Sequence, residues 1–367
     1  MPTWSEILLE LQQLVLANPQ PAPGQPSPFD ITRRKSLRGV ADRTHRNVIL
    51  YASKWTQPSG VDPDMISIVP EDVQGFMEVV HGLEGDTLDL ILHLPGGSAE
   101  TTEAIVIYLR SRFNDIRVFI PQAAMSAASM LACAGDRIVM GKHSFIGPID
   151  PQFVLRTDVG VIAAPAHAIL EQFKQAQQEC RDPNLLPSWI PILRQYGPAL
   201  LVQCQLATKL SQSLVTDWLT RYMFRGDPNA AQKADRIASA LANHANFMSH
   251  GRFISRDQAK AMGLVIDDLE ADQSLQDAVL SVFHATTHSL GTAATKIIEN
   301  HLGKSFIKLQ QQQVLRLPAM APFPIPVPPF AMPPVPPAGP VPLAAPAPPN
   351  PPPAAPPLPP ARSCRGK

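Results

Sequence analysis

Residues 88–98 read Leu88-Asp-Leu-Ile-Leu-His-Leu-Pro-Gly-Gly-Ser98, an apolar run ending in a glycine turn, and residues 122–130 read Gln122-Ala-Ala-Met-Ser-Ala-Ala-Ser-Met130, a second turn of small residues. Strand and helix patterns alternate around them: strand at 88–94, helix at 99–112, strand at 116–120, helix at 126–134 and strand at 137–140. That alternation predicts an α/β fold with a mostly parallel sheet covered by helices. The carboxyl ends of parallel strands lie side by side, so the Gly96-Gly97 backbone and the Ser126 hydroxyl converge on one crevice. Glycine leaves amide N–H groups free to face a ligand. A serine at a helix N-terminus sits where unsatisfied N–H groups favour developing negative charge. Acyl transfer needs both, with Ser126 as nucleophile and the N–H groups of Gly97 and Ala127 as oxyanion hole. The same residues also suit a plain helix cap and a turn.

Upstream, Trp4, Ile7, Leu8, Leu11, Leu14 and Val15 form a helical stripe that predicts a docking helix, followed by a proline-broken linker from Asn18 to Pro28. Arg33-Arg34-Lys35 reads as a solvated face, and Asn47–Ser53 as a buried strand. Downstream, helices are expected at 166–179, 198–222, 229–243 and 256–262, an apolar strand at Leu264-Val-Ile266, and a last helical region from about 274 to 301. About half of the 41 prolines crowd between Pro318 and Pro360, a composition that favours extended polyproline II and predicts a disordered tether. The folded part is expected to end before about Leu317, with an arm and linker over 1–28, one domain over 29–304, and a linker and tail over 305–367.

The 31 basic residues balance the 31 acidic ones, which argues against a general nucleic-acid or acidic-membrane binder. The four cysteines, Cys133, Cys180, Cys204 and Cys364, are too scattered for a disulfide framework or a zinc knuckle and fit a reducing, cytoplasmic compartment. No stretch approaches the roughly 20 apolar residues of a membrane span, and the N-terminus lacks a signal-peptide pattern, so a soluble, unsecreted protein is expected. Gly135 to Lys142 has five intervening residues where a phosphate-binding loop has four, and His143 stands where Ser or Thr should hold magnesium. His284-Ala-Thr-Thr-His288 carries Ala285 where a metalloprotease motif needs glutamate, and no dinucleotide fingerprint follows a strand. No metal or organic cofactor is expected.

The Pro95-Gly-Gly-Ser98 turn, the run Ala124-Met-Ser-Ala-Ala-Ser-Met-Leu-Ala-Cys-Ala-Gly-Asp136 and Ile146-Gly-Pro-Ile-Asp-Pro-Gln152 resemble the serine dehydrogenase proteinase family of the Clp/crotonase superfamily. The likeness runs from about Ile31 to Lys304 and includes Thr44–Val48, Trp218–Phe224 and Ser249–Arg252. It implies a Clp/crotonase-like spiral, serine-type peptide hydrolysis and a homo-oligomer acting on peptide or protein substrates. Clp-type nucleophiles open a helix ending in Leu-Ala-Ala-Gly; matching that to Leu131-Ala-Cys-Ala-Gly135 favours Ser126, with Ser129 one turn inside the helix and suited to bonding back to the preceding turn.

His167 is the expected base, with His250 as its alternative. The segment where a Clp-type histidine would follow reads Gly147-Pro-Ile-Asp150. The family's order of serine, aspartate and histidine is met by Ser126, Asp150 and His167, with Asp150 fixing the imidazole tautomer. His250 is the second candidate, His143 a weaker one, and a solvated lysine such as Lys142 is a poor base. Two rivals remain. One is an inactive assembly or tethering protein whose tail recruits a proline-binding domain. The other is an acyl-CoA enzyme using Lys142, Arg137 and Arg156 for the phosphates.

Overall fold

Fully buried β-branched strands alternating with capped helices build the centre of the fold, which a computed structural model describes for residues 3–17, 25–58, 60–158 and 160–310. The strands are β1 (Asn47–Ser53), β2 (Thr87–His93), β3 (Asp115–Ile120), β4 (Ala123–Ala124), β5 (Arg137–Met140), β6 (Phe145–Ile146), β7 (Gln152–Thr157), β8 (Gly160–Pro165), β9 (Ile254–Ser255), β10 (Ile266–Asp268), β11 (Ala294–Asn300) and β12 (Ser305–Leu309). The main sheet runs β10-β5-β3-β2-β1-β11-β12. The neighbours from β10 to β1 are parallel, and β11 and β12 extend the sheet antiparallel. A mostly parallel sheet is buried on both faces. Accordingly, every residue of β1 and of β11 is buried.

The helices that cover it start and stop where their caps dictate. Ser98 caps the helix Ala99–Arg112 by accepting from the Thr101 N–H, and Arg110 and Arg112 in its last turn complement the helix dipole. Ser27 and Asp30 form a capping box that opens the helix Pro28–Thr44. The docking helix, Trp4–Ala17, buries Ile7 and Leu11 against Ala285 and Phe29.

Several expectations change. The segment expected to stay helical to 301 turns at Gly291, and Thr295, Ile297 and Ile298 continue as β11. β12 carries the sheet to Leu309, past the expected boundary at 304. The apolar stretch at 264–266 becomes β10 only from Ile266. Arg33 is not on a solvated face: it is buried, bonded to Glu299, to Ser289 (2.8 Å) and to Asp30 (2.6 Å), while Lys35 is exposed. The β7–β8 hairpin and the helix Leu186–Leu193 were unforeseen. No described helix is long and apolar enough to cross a membrane. The proline-rich tail from residue 311 onward lies outside the described residues.

His93 closes β2 at 2 % exposure, between the rings of Trp55 and Phe283. Burial pushes its imidazole down to about 4, only partly opposed by the Ala123 backbone. Between that value and the ordinary 6.5 the unfolded chain binds a proton that the folded one does not, so stability falls as pH drops through this window. Urea denaturation at pH 7.5 and pH 4.5 should show His93 costing about 2–3 kcal/mol at the lower pH, a share that His93→Asn removes.

Candidate active site

Ser126 stands two residues after β4, where the chain must reverse into the helix Ala127–Cys133. Its backbone takes φ 52° and ψ −122°, a conformation that a residue with a side chain adopts at a cost of about 1–3 kcal/mol. Its side chain makes no capping hydrogen bond, so the plain helix-cap role does not hold. The turn lifts the hydroxyl to the head of the helix, beside the Ala127 N–H; the next N–H, of Ala128, is taken by the Met125 carbonyl (2.9 Å).

Gly96 and Gly97 lie against this turn. A Cβ on Gly96 would sit 2.7 Å from the Ser126 Cβ and 2.9 Å from the Ala127 nitrogen. Gly97, at φ 148°, has Ile68 backbone atoms where its own Cβ would be, 2.4 Å away. Ile68 donates its N–H to the Gly96 carbonyl (2.7 Å) and accepts from the Ser98 N–H (3.0 Å). This pairing leaves the Gly97 N–H unused, and among the described residues neither it nor the Ala127 N–H donates to a protein group. Two free amides beside an unbonded serine hydroxyl have the composition of an oxyanion hole.

Ser129 is a different kind of serine. It is wholly buried, donates to the Ala124 carbonyl (2.7 Å) and accepts from the Gly147 N–H (2.8 Å). Its hydroxyl thereby ties β4 to the chain leaving β6.

That chain leads to Asp150, which is 2 % exposed. An aspartate is almost never so buried without partners. It has two imidazoles: His250 Nδ1 lies 2.8 Å from Oδ1 and His244 Nδ1 lies 2.7 Å from Oδ2, and Gln152 donates at 3.1 Å. His250 is positioned by β9, which begins four residues later and pairs antiparallel with β6 (Ile146 opposite Ile254), and by Phe253 stacked on Phe145 at 5.0 Å. Ser126, Ala127, Gly96, Gly97 and His250 wall one cleft of about 440 Å³, with Met130, Ile149, Phe153, Val154 and Leu210 as its apolar part.

His167 opens the helix Ala166–Glu179 and is exposed. Among the described residues it makes no hydrogen bond to Asp150; its ring lies 5.7 Å from that of His244, in a separate hollow of about 260 Å³. The structure therefore brings Ser126, Gly97, Ala127, Asp150 and His250 together and sets His167 aside from the serine. His143 is exposed, on the turn between β5 and β6. Nothing in the sequence marks His244, because a four-residue helix, His244–Phe247, offers no periodicity to flag it. Among the described residues no cluster of His, Cys, Asp or Glu suits a metal ion.

Residues 32–188 match the ClpP-like SDH-type serine proteinase family. The match contains Gly97, Ser126 and Asp150 and stops short of His250. The matched segment carries the mostly parallel, helix-flanked part of the sheet, from β1 to β5. Two uncharacterized proteins of Methanocaldococcus jannaschii are similar. MJ1495 is 36% identical over 120 residues, 32% of this chain and 38% of its own length. MJ0137 is 29% identical over 242 residues, 65% of this chain and 74% of its own length. The chain thus spans well under half of the first and about three quarters of the second. Among solved structures, a mutant of the membrane-bound stomatin-specific protease 1510-N aligns at 15% identity and a TM-score of 0.33, over 55% of this chain and 75% of that one, too slight a likeness to carry an argument.

The two serines should separate experimentally. Ser129→Ala removes the bridging hydroxyl, orphans both the Ala124 carbonyl and the Gly147 N–H, and is expected to cost about 2–4 kcal/mol in urea denaturation, at 1–3 per orphaned group with partial relaxation. Ser126→Gly relieves the strained backbone and is expected to be about 1 kcal/mol more stable than Ser126→Ala.

Proposed function

We propose that the cleft hydrolyses peptide bonds by a serine-type mechanism. Ser126 Oγ attacks the scissile carbonyl carbon while its proton passes to Nε2 of His250. Asp150, holding Nδ1–H of the same ring, fixes the tautomer that leaves Nε2 free and stabilises the imidazolium as it forms. The carbonyl oxygen takes up negative charge between the N–H groups of Gly97 and Ala127. Collapse of the tetrahedral intermediate breaks the C–N bond, and the proton on His250 goes to the departing amine. Water, deprotonated by His250, then attacks the acyl carbon, the Ser126 Oγ–acyl bond breaks, and the proton on His250 returns to Oγ.

The observation that carries this reading is the Asp150–His250 contact at 2.8 Å, with His250 and Ser126 walls of the same cleft. The same contact favours His250 over His167 as base. It also weighs against an inactive assembly protein, which drew its support from the lack of a histidine at Gly147–Asp150. The apolar walls suit an apolar substrate side chain beside the scissile bond. The matched family supports a hydrolase, and we extend the reading to a homo-oligomer that acts on peptide or protein substrates in the cytoplasm. A proline-binding partner for the tail would act on residues outside those described.

A fluorophosphonate probe followed by mass spectrometry tests the assignment. Wild type should carry one adduct, on Ser126. His250→Ala should slow labelling by about 10²–10⁴, the usual worth of general-base catalysis, and His167→Ala should change it by less than about threefold. Loss of labelling in His167→Ala with retention in His250→Ala would reverse the base assignment. A folded wild type that takes no label would end the peptidase reading.

A further inference from the structure

Lys296 of β11 and Asp72 of the helix Asp72–Val80 form an ion pair in which both side chains have no solvent exposure. Taking two charges out of water is costly, and apolar residues of similar volume often serve stability as well or better. The pair is nevertheless fully bonded. Lys296 Nζ donates to both carboxylate oxygens of Asp72 (2.9 and 2.8 Å) and to the Ser67 carbonyl. Asp72 also accepts from the Tyr51 hydroxyl (2.6 Å) and from the Val69 N–H (2.9 Å). Burial lowers the Lys296 ammonium from its ordinary value against the pull of Asp72, and raises the Tyr51 hydroxyl well above its own. Lys308, bonded to Glu71, stands 4.0 Å from Asp72.

Two of these bonds end on main chain, and they grip the residues on either side of Ile68: the Ser67 carbonyl and the Val69 N–H. Ile68 is the residue that pairs with Gly96 and Ser98 and lies 2.4 Å from where a Gly97 Cβ would be. The charged cluster and the glycine turn are thus joined through one residue, Ile68. A shift of the 67–69 segment must move the turn with it.

We propose that Lys296, Asp72 and Tyr51 are positioning residues that hold the 67–69 segment so that the Gly97 N–H points at the substrate carbonyl oxygen. The proposal rests on the oxyanion role given to Gly97 above. Oxyanion donors act only when fixed in advance, and displacement by a fraction of an ångström weakens them in the transition state far more than in substrate binding. The buried charges thus set the geometry of the catalytic turn from the far side of the segment.

The test is the double variant Lys296→Met/Asp72→Leu, which removes both charges and keeps the volume, with Tyr51→Phe as the milder change. Each is measured for melting temperature, for kcat and KM on an activated ester, and for hydrogen exchange at the Ile68 and Ser98 amides. The expected result is a folded double variant with kcat at least tenfold lower, KM within about twofold, and faster exchange at both amides. Should the double variant fail to fold, Tyr51→Phe is expected to lower kcat at least threefold with KM unchanged. Wild-type kcat and exchange in a folded double variant, or in Tyr51→Phe where only that folds, would overturn the proposal. Exchange needs no turnover, so a wild type without esterase activity would defeat the peptidase reading while the amides still tested the clamp.

Discussion

The candidate site depends on the Ser129 hydroxyl and on the three short strands it helps to hold. β4, β6 and β9 form a sheet of two residues each. β4 delivers Ser126 two residues later, β6 delivers Asp150 four residues later, and β9 is preceded by His250 at four residues. The Ser129 hydroxyl bonds the end of β4 to the chain leaving β6, inside a helix turn where no water competes. Side chains separated by more than a hundred positions in sequence are placed by a few main-chain bonds near the end of the larger sheet. His250, so far along the chain, is positioned through these strands and not through the loop that carries it.

The charges of this chain are balanced in number and uneven in use. Asp89 is fully buried and held by Arg46 (2.8 Å) and Arg117 (2.8 and 2.7 Å), tying three neighbouring elements together. Glu299 is fully buried between Arg33 and Arg34 and joins the helix Pro28–Thr44 to β11. Lys296 and Asp72 join β11 to the opposite face. Pairs of this kind add little stability over apolar substitutes but penalise other arrangements, because a broken pair leaves a bare charge in the core. The antiparallel strands at the sheet edge are thereby fixed in register to the parallel ones.

What the sequence disclosed follows from how local each signal is. Strand β1, the helix Ala99–Arg112 and the turns at Gly96-Gly97 and Ser126 were legible because the periodicity, the cap and the glycines lie within a few residues of one another. Asp150 was legible by its place in a motif. His250 could be named but not placed against Asp150, since its position comes from β9, a two-residue strand with no period to read. Asp150 bonding two imidazoles at once was out of reach for the same reason. Arg33 misled because a run of three basic residues looks solvated, while its partner Glu299 stands 266 residues away. β11 looks helical in the sequence because the preceding helical pattern masks the change of period after Gly291.

In the proposed mechanism the proton passes between Ser126 and His250, Asp150 orients the imidazole, and the Gly97 and Ala127 amides receive the oxyanion. A crystal structure of the protein after reaction with a peptidyl phosphonate tests it most directly. The account predicts phosphorus bonded to Ser126 Oγ, one phosphonyl oxygen within 2.7–3.1 Å, the usual reach of such donors, of both amide nitrogens, and His250 still bonded to Asp150. An adduct on Ser129, or one on Ser126 whose oxygen faces solvent with His250 turned away from it, would contradict the account.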